Sequence, residues 1–182
     1  MKSKLRLLCA FAAASALASP ALAEDCNNTT FSALAATSCL GSFSGNINGS
    51  QSELDFLQTS FGTEFTFLGK SDDALSGPFT SNPEVSQNGT LTFDAPMTGT
   101  FVIGLKAARN YSYYLFNAGA PVASLTFDDT AGVAVNNQGV PQDLSHANLY
   151  AAVTAVPEPE TYALFLAGLG FVTFIAKRRK AA

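Results

Sequence analysis

Between Glu24 and Val156 hydrophobic and polar residues alternate at period two in a series of short runs, "TEFTFLG", "GTLTFDA", "GTFVIGLKA", "YSYYLFN" and "ASLTFDD" among them, with "SELDFLQ" and "ANLYAAVTAV" read as further strands. Such alternation marks strands with one face on a core and one toward water. Phe65 and Phe67 share a face, as do Leu91 with Phe93, Phe101 with Ile103 and Leu105, and Leu125 with Phe127. Tyr111 and Tyr113 point to one side of their run, Tyr114 and Phe116 to the other. Clusters rich in Gly, Asn, Asp and Pro lie between the runs, at "SGP", "QNG", "APMTG", "ARN", "NAGAP" and "NNQGVP", and predict reversals. "TTFSALAATSCL", Thr29 to Leu40, is the one short helix candidate. The pattern predicts an all-β ectodomain over 24–156, an antiparallel β-sandwich or jelly roll. "LTFD" occurs at Leu91 and again at Leu125, but nothing else recurs at that spacing, so these are two strands of similar make-up and not a repeat.

Both ends depart from this texture. Lys2, Lys4 and Arg6 precede an apolar run from Leu7 to Leu17, and Ala21-Leu22-Ala23 closes it as a small-x-small cleavage site; residues 1–23 read as a secretory signal peptide. Cys26 lies three residues past that cut, which argues against a lipoprotein, whose mature chain begins at cysteine. At the other end Pro157 and Pro159 predict an extended tether. Thr161 to Ala176 carries no charge and as a helix would reach about 24 Å, short of the roughly 30 Å hydrocarbon core. Lys177, Arg178, Arg179 and Lys180 follow and predict a short C-terminal transmembrane helix with its basic end in the cytoplasm.

The charge of the exported segment narrows its partners. Residues 24–156 hold twelve carboxylates against Lys70, Lys106 and Arg109, a net charge of −9. So acidic a surface forgoes the counterion release that drives nucleic-acid binding, and nucleic acid is excluded. Cys26 and Cys39 form an even pair in a chain sent to an oxidising compartment and are expected to be bridged; a loop of this size contributes about 3 kcal/mol.

Chemistry-bearing constellations are sparse. His146 in "QDLSHANLY" has Ser145 and Asp143 nearby, yet triad members converge from separate segments, so it is read as an exposed loop histidine and no catalytic residue is assigned. Asp72 with Asp73 and Asp128 with Asp129 match no calcium-loop spacing, and no metal site is assigned. Phosphate loops, dinucleotide fingerprints and metal-binding cysteine clusters are absent, so no cofactor is expected. Tyr111 and Tyr113 are the candidate sugar contacts. The alternatives to a non-enzymatic surface protein are a carbohydrate-binding module and, less favoured, a secreted hydrolase that would need His146.

Val156-Pro157-Glu158-Pro159-Glu160-Thr161, an apolar stretch with Gly168-Leu169-Gly170, and Lys177-Arg178-Arg179-Lys180 together resemble a PEP-CTERM sorting signal. The resemblance implies export across the inner membrane of a Gram-negative bacterium. It implies transient anchoring, recognition at Pro157, Glu158 and Pro159 by an exosortase-type membrane enzyme, and delivery to the cell surface or an exopolysaccharide matrix. The ectodomain is also similar, more loosely, to others that carry such tails, in "CLGSFSGN" and "FVIGLKAARNYSYYLFN". The family's bodies vary, so the resemblance assigns the body no activity.

Overall fold

The structure, a computed structural model, describes residues 25–72, 77–81, 86–153 and 165–169. The signal peptide, Asp73, the Pro-Glu-Pro at 157–159 and the basic cluster at 177–180 lie outside them. After a 3-10 turn at Cys26–Asn28 the elements are β1 (Phe31–Ser32), β2 (Ser38–Ser44), α1 (Gln51–Phe61), β3 (Phe65–Lys70), β4 (Phe79–Ser81), β5 (Gly89–Ala107), β6 (Asn110–Phe127) and β7 (Leu144–Ala152).

All-β character is as the alternation predicts, and every strand pairing is antiparallel. The strands are hydrogen-bonded into one sheet in the order β1-β6-β5-β7-β3, with β2 also on β6 and β4 also on β5. "APMTG" and "NAGAP" turn out not to be reversals. Each lies inside a long strand, and the two face each other across the β5–β6 hairpin. From Thr92 to Met97 β5 advances five residues while β6 moves only from Ser124 to Val122; from Met97 to Gly99 it is β6 that gains, moving from Val122 to Ala118. Pro96 and Pro121 fall in these stretches, where a missing amide costs no ladder hydrogen bond. Opposed bulges bend both strands at the same level.

The bend folds the sheet onto itself. Leu91, Phe93, Leu125 and Phe127 from one half share a core with Phe101, Ile103, Leu105, Tyr114 and Phe116 from the other. Phe31 shows the closure: it is paired with Phe127 in register, yet its ring meets Tyr114 at 4.9 Å and Phe116 at 5.1 Å.

Two local expectations are overturned. "SELDFLQ" belongs to helix α1, and "TTFSALAATSCL" is strand and bend, supplying β1 and the start of β2. Local signals for the helix are present at both of its ends. Ser50 takes the extended N-cap conformation, Glu53 occupies the first turn, and Gly62 ends the helix at φ 70° with its amide bonded to the Gln58 carbonyl, a left-handed cap suited to glycine. Leu54, Leu57 and Phe61 recur at helical spacing and pack with Ile47, Phe65, Val102, Tyr113 and Tyr150 in a second core. Alternation and helical period compete in so short a run, and burial of Leu57 against the sheet decides for the helix. With the folded-over half on one face, and Ile47 and α1 packed with Val102 on the other, β5 is buried without a break from Phe101 to Ala107.

The segment between β6 and β7 closes on the N-terminal turn. The Gly132 amide donates to Thr29 Oγ1 at 2.9 Å, and the Ser112 hydroxyl donates to the Gly132 carbonyl at 2.7 Å. A Cβ at 132 would meet the Cys26 carbonyl oxygen and stand 2.8 Å from the Thr29 amide nitrogen. Gly132→Ala is therefore expected to lower stability by about 1–3 kcal/mol through backbone overlap. Gly119→Ala, where a Cβ meets nothing within 4 Å, should stay close to wild type. Urea midpoints of the two variants decide the matter, and equal midpoints would refute the close-packing account.

Candidate functional site

The cysteine pairing is as expected: Cys26 and Cys39 are disulfide-bonded, Cα to Cα 5.9 Å. The bridge ties the 3-10 turn to β2. The Asp128–Asp129 pair is hydrogen-bonded to nearby backbone amides and to the Thr30 hydroxyl. Asp128 accepts from the Thr30 amide at 2.9 Å, the Thr30 hydroxyl at 2.6 Å and the Asp129 amide at 2.8 Å, while Asp129 accepts from the Ala131 amide at 2.7 Å. Burial opposes ionisation of Asp128, but the hydrogen bonds from Thr30 and Asp129 outweigh it and hold its carboxyl below the usual carboxylate range. Among the described residues no group of three or more His, Cys, Asp or Glu could hold a metal ion.

His146 is neither exposed nor in a loop. β7 begins at Leu144, two residues before it, and its ring is buried. The buried His146 is flanked by the exposed Ser145, and Asp143 is also exposed, so the three sequence neighbours do not converge. The imidazole Nε2 lies 3.2 Å from the Ile47 carbonyl oxygen, to which it donates, and Nδ1 is 3.9 Å from an Asp72 carboxylate oxygen. Burial depresses the histidine pKa; the Ile47 carbonyl and Asp72 work against that, and Lys70 and Lys106 add to it. Lys106 is buried opposite His146 in the register, donates to the Ala108 carbonyl, and has its own pKa lowered by burial.

Tyr111 and Tyr113 do share a face, as predicted, but only Tyr111 keeps part of its ring open to solvent. Tyr113 is 1% exposed, enclosed by Phe43, Phe56 and Tyr111 at centroid distances of 6.5, 6.1 and 5.4 Å. Its hydroxyl donates to Glu53 Oε1 at 2.7 Å. Tyr150, 0% exposed on β7, donates to the same oxygen and accepts from Asn148 Nδ2 at 2.8 Å. The other carboxylate oxygen accepts from the Asn48 and Gly49 amides at 3.1 and 2.9 Å. Four donors thus converge on one carboxylate at the first turn of α1, where the helix dipole also favours a negative charge. Burial, with Glu53 reinforcing it, pushes both phenols far above their ordinary range.

Above this network is an open groove of ≈ 200 Å³. Tyr113 and Glu53 form its floor, Phe56 and Tyr111 its aromatic sides, and Asn46, Asn48, Ser50 and Ser52 its polar rim. Of the residues that line the groove, the sequence singled out only the two tyrosines. Glu53 and Phe56 were hidden by the strand reading of their segment, although Ser50 followed three places later by Glu53 is the spacing of a capping box.

The remaining sequence feature, the C-terminal tail, is matched independently. Residues 155–180 fit the family model of the PEP-CTERM protein-sorting motif. The chain carries a PEP-CTERM sorting signal. No curated protein and no solved structure matches it. The PEP-CTERM match takes in Pro157, Glu158, Pro159 and the whole basic cluster Lys177, Arg178, Arg179 and Lys180, and implies export, processing by an exosortase and a surface or extracellular destination. Within it residues 165–169 are helical. Among the described residues no helix is long and apolar enough to cross a membrane.

Two outcomes are expected. Removing the Glu53 carboxylate leaves two buried phenols and two amides short of an acceptor, so Glu53→Ala should cost about 3 kcal/mol and Glu53→Gln, which keeps one acceptor oxygen, less; chemical denaturation gives both values. For His146 the sign follows from its depressed pKa. The unfolded state takes up a proton below about pH 6.5 and the native state resists it, so stability declines as pH falls from that point toward the native pKa. His146→Gln should flatten this limb of a stability-against-pH curve, and an unchanged slope would count against the assignment.

Proposed function

We propose that this is an exported, non-enzymatic protein of the cell surface or exopolysaccharide matrix of a Gram-negative bacterium, with a structural or adhesive role. A β-sandwich-like body formed by the folded sheet is held at the inner membrane by the apolar stretch of the tail until an exosortase cuts it. The carrying observation is the match at residues 155–180, in which Pro-Glu-Pro, an apolar stretch and a basic end stand in order. A plain stop-transfer anchor accounts for the last two parts and not for the first.

The composition of the junction supports processing there. Two closely spaced prolines disfavour helix, and the sixteen uncharged residues that follow are few against the thickness of a bilayer. The non-enzymatic reading is supported by His146: as the chain's one histidine it is engaged with Ile47 and apart from Ser145, an arrangement unlike a nucleophile and its base. The carbohydrate-binding alternative is favoured by one specific observation, the groove bounded by Tyr111 and Phe56.

Cutting near Pro159 removes Lys177 to Lys180, so the mature form is expected to be lighter and more acidic than the precursor. Mass spectrometry of protein from the native host should find a C-terminus between Val156 and Tyr162. Replacing Pro157, Glu158 and Pro159 with Ala should leave uncut protein in the membrane fraction. Wild-type protein that keeps its basic end and stays in that fraction would show that the tail is an ordinary anchor.

A further inference from the structure

We propose that the groove between the first turn of α1 and the Tyr111 edge of β6 binds one neutral or N-acetylated sugar unit of a polysaccharide, with Phe56 and Tyr111 as its stacking walls. This deepens the matrix reading above and rests on it for the source of the glycan.

Size comes first. At ≈ 200 Å³ the groove holds about seven water-sized volumes of roughly 30 Å³ each, and is smaller than the pockets of about 300–1,000 Å³ that enclose drug-sized ligands. A single ring in an open slot fits that scale, and an open slot lets a polymer continue past it. The walls are next. Phe56 is 39% exposed and Tyr111 is half-buried, and both rest on Phe43 at a centroid distance of 5.5 Å. Their rings are thus backed by a third ring. Apolar ring faces of this kind suit the C–H face of a pyranose.

The rim supplies the complementary chemistry. Side chains of Asn46, Asn48, Ser50 and Ser52 offer both donors and acceptors, as sugar hydroxyls do. The charge sets the class. Among the described residues no Lys or Arg lines the groove, Glu53 is in its floor, and the exported segment is strongly acidic, so uronate, sulfate and phosphate groups are repelled. Glu53 is also the one carboxylate among the lining residues, and its oxygens already accept from Tyr113, Tyr150, Asn48 and Gly49. Glycoside hydrolysis needs two facing carboxylates, so this arrangement holds a sugar without cleaving it. The same four donors fix the floor before any ligand arrives, which lowers the ordering cost of binding. Tyr113, buried beneath Phe56, supports the walls and does not stack.

The test is titration of the exported protein, followed by NMR, with soluble oligosaccharides of glucose, galactose and N-acetylglucosamine, and with an oligogalacturonate as the anionic comparison. At least one neutral or N-acetylated series should bind, shift the amides of Asn46, Asn48 and Ser52, and bind more tightly than the oligogalacturonate. Tyr111→Ala and Phe56→Ala should each weaken binding by about tenfold, while the ring-retaining Tyr111→Phe and Phe56→Tyr stay close to wild type and show that the loss comes from the ring. No binding by the wild type, shifts confined to another surface, or a preference for the oligogalacturonate would each overturn the proposal. The measurement is independent of how the tail is processed, so failure here and failure of the sorting reading are separate results.

Discussion

The structure depends on the pairing of β5 with β6. These strands run together from Gly89 against Phe127 to Ala107 against Asn110, and every other strand but β3 pairs directly with one of them. The hairpin is far longer than the five or six residues of an ordinary strand. A twisted ribbon of that length cannot bury both ends on its own. Opposed bulges around Pro96 and Pro121 solve this by folding the ribbon, so that its two halves become each other's cover. The sheet thereby supplies its own second layer, and Phe93 meets Phe101 of the same strand at a centroid distance of 6.0 Å.

Folding in this way leaves the outer face of the 101–107 half in need of cover, and α1 provides it. The helix presents Leu54, Leu57 and Phe61 to that face, but apolar packing alone is non-directional. Glu53 fixes the orientation. Its carboxylate joins the loop before α1, through Asn48 and Gly49, to Tyr113 on β6 and Tyr150 on β7. A carboxylate among buried phenols is costly unless its lone pairs are filled, and here they are. The groove is a consequence of the same geometry. Where the helix N-terminus meets the Tyr111 edge, rings and amides are left facing solvent over a rigid floor.

On the opposite side, the N-terminal residues are secured by chemistry suited to an exported protein. The Cys26–Cys39 bridge, the Asp128 carboxylate holding Thr30, and the close approach of Gly132 to the Thr29 segment act on the same few residues. A segment just beyond the expected signal-peptide cut would otherwise fray, since chain ends are ordered only where they are tied down.

How much of this the sequence alone determined follows from range. Strand alternation, the pairing of two cysteines destined for one oxidising compartment, and the tail's Pro-Glu-Pro, apolar stretch and basic end are properties of neighbouring residues, and each was legible there. The sorting address belongs to this class, being read as a linear motif. Tertiary structure decided whatever depended on a distant partner. "NAGAP" is a turn by composition and a bulge only because "APMTG" lies across from it. His146 reads as exposed until Ile47, 99 positions away, is placed on its ring. "SELDFLQ" alternates like a strand, and burial of Leu57 against the sheet makes it a helix. Glu53 acquires its role from Tyr113 and Tyr150, 60 and 97 positions away. Local periodicity reports which residues seek a core; only the folded chain decides which face meets which, because burial and hydrogen-bond satisfaction are settled between segments and not within them.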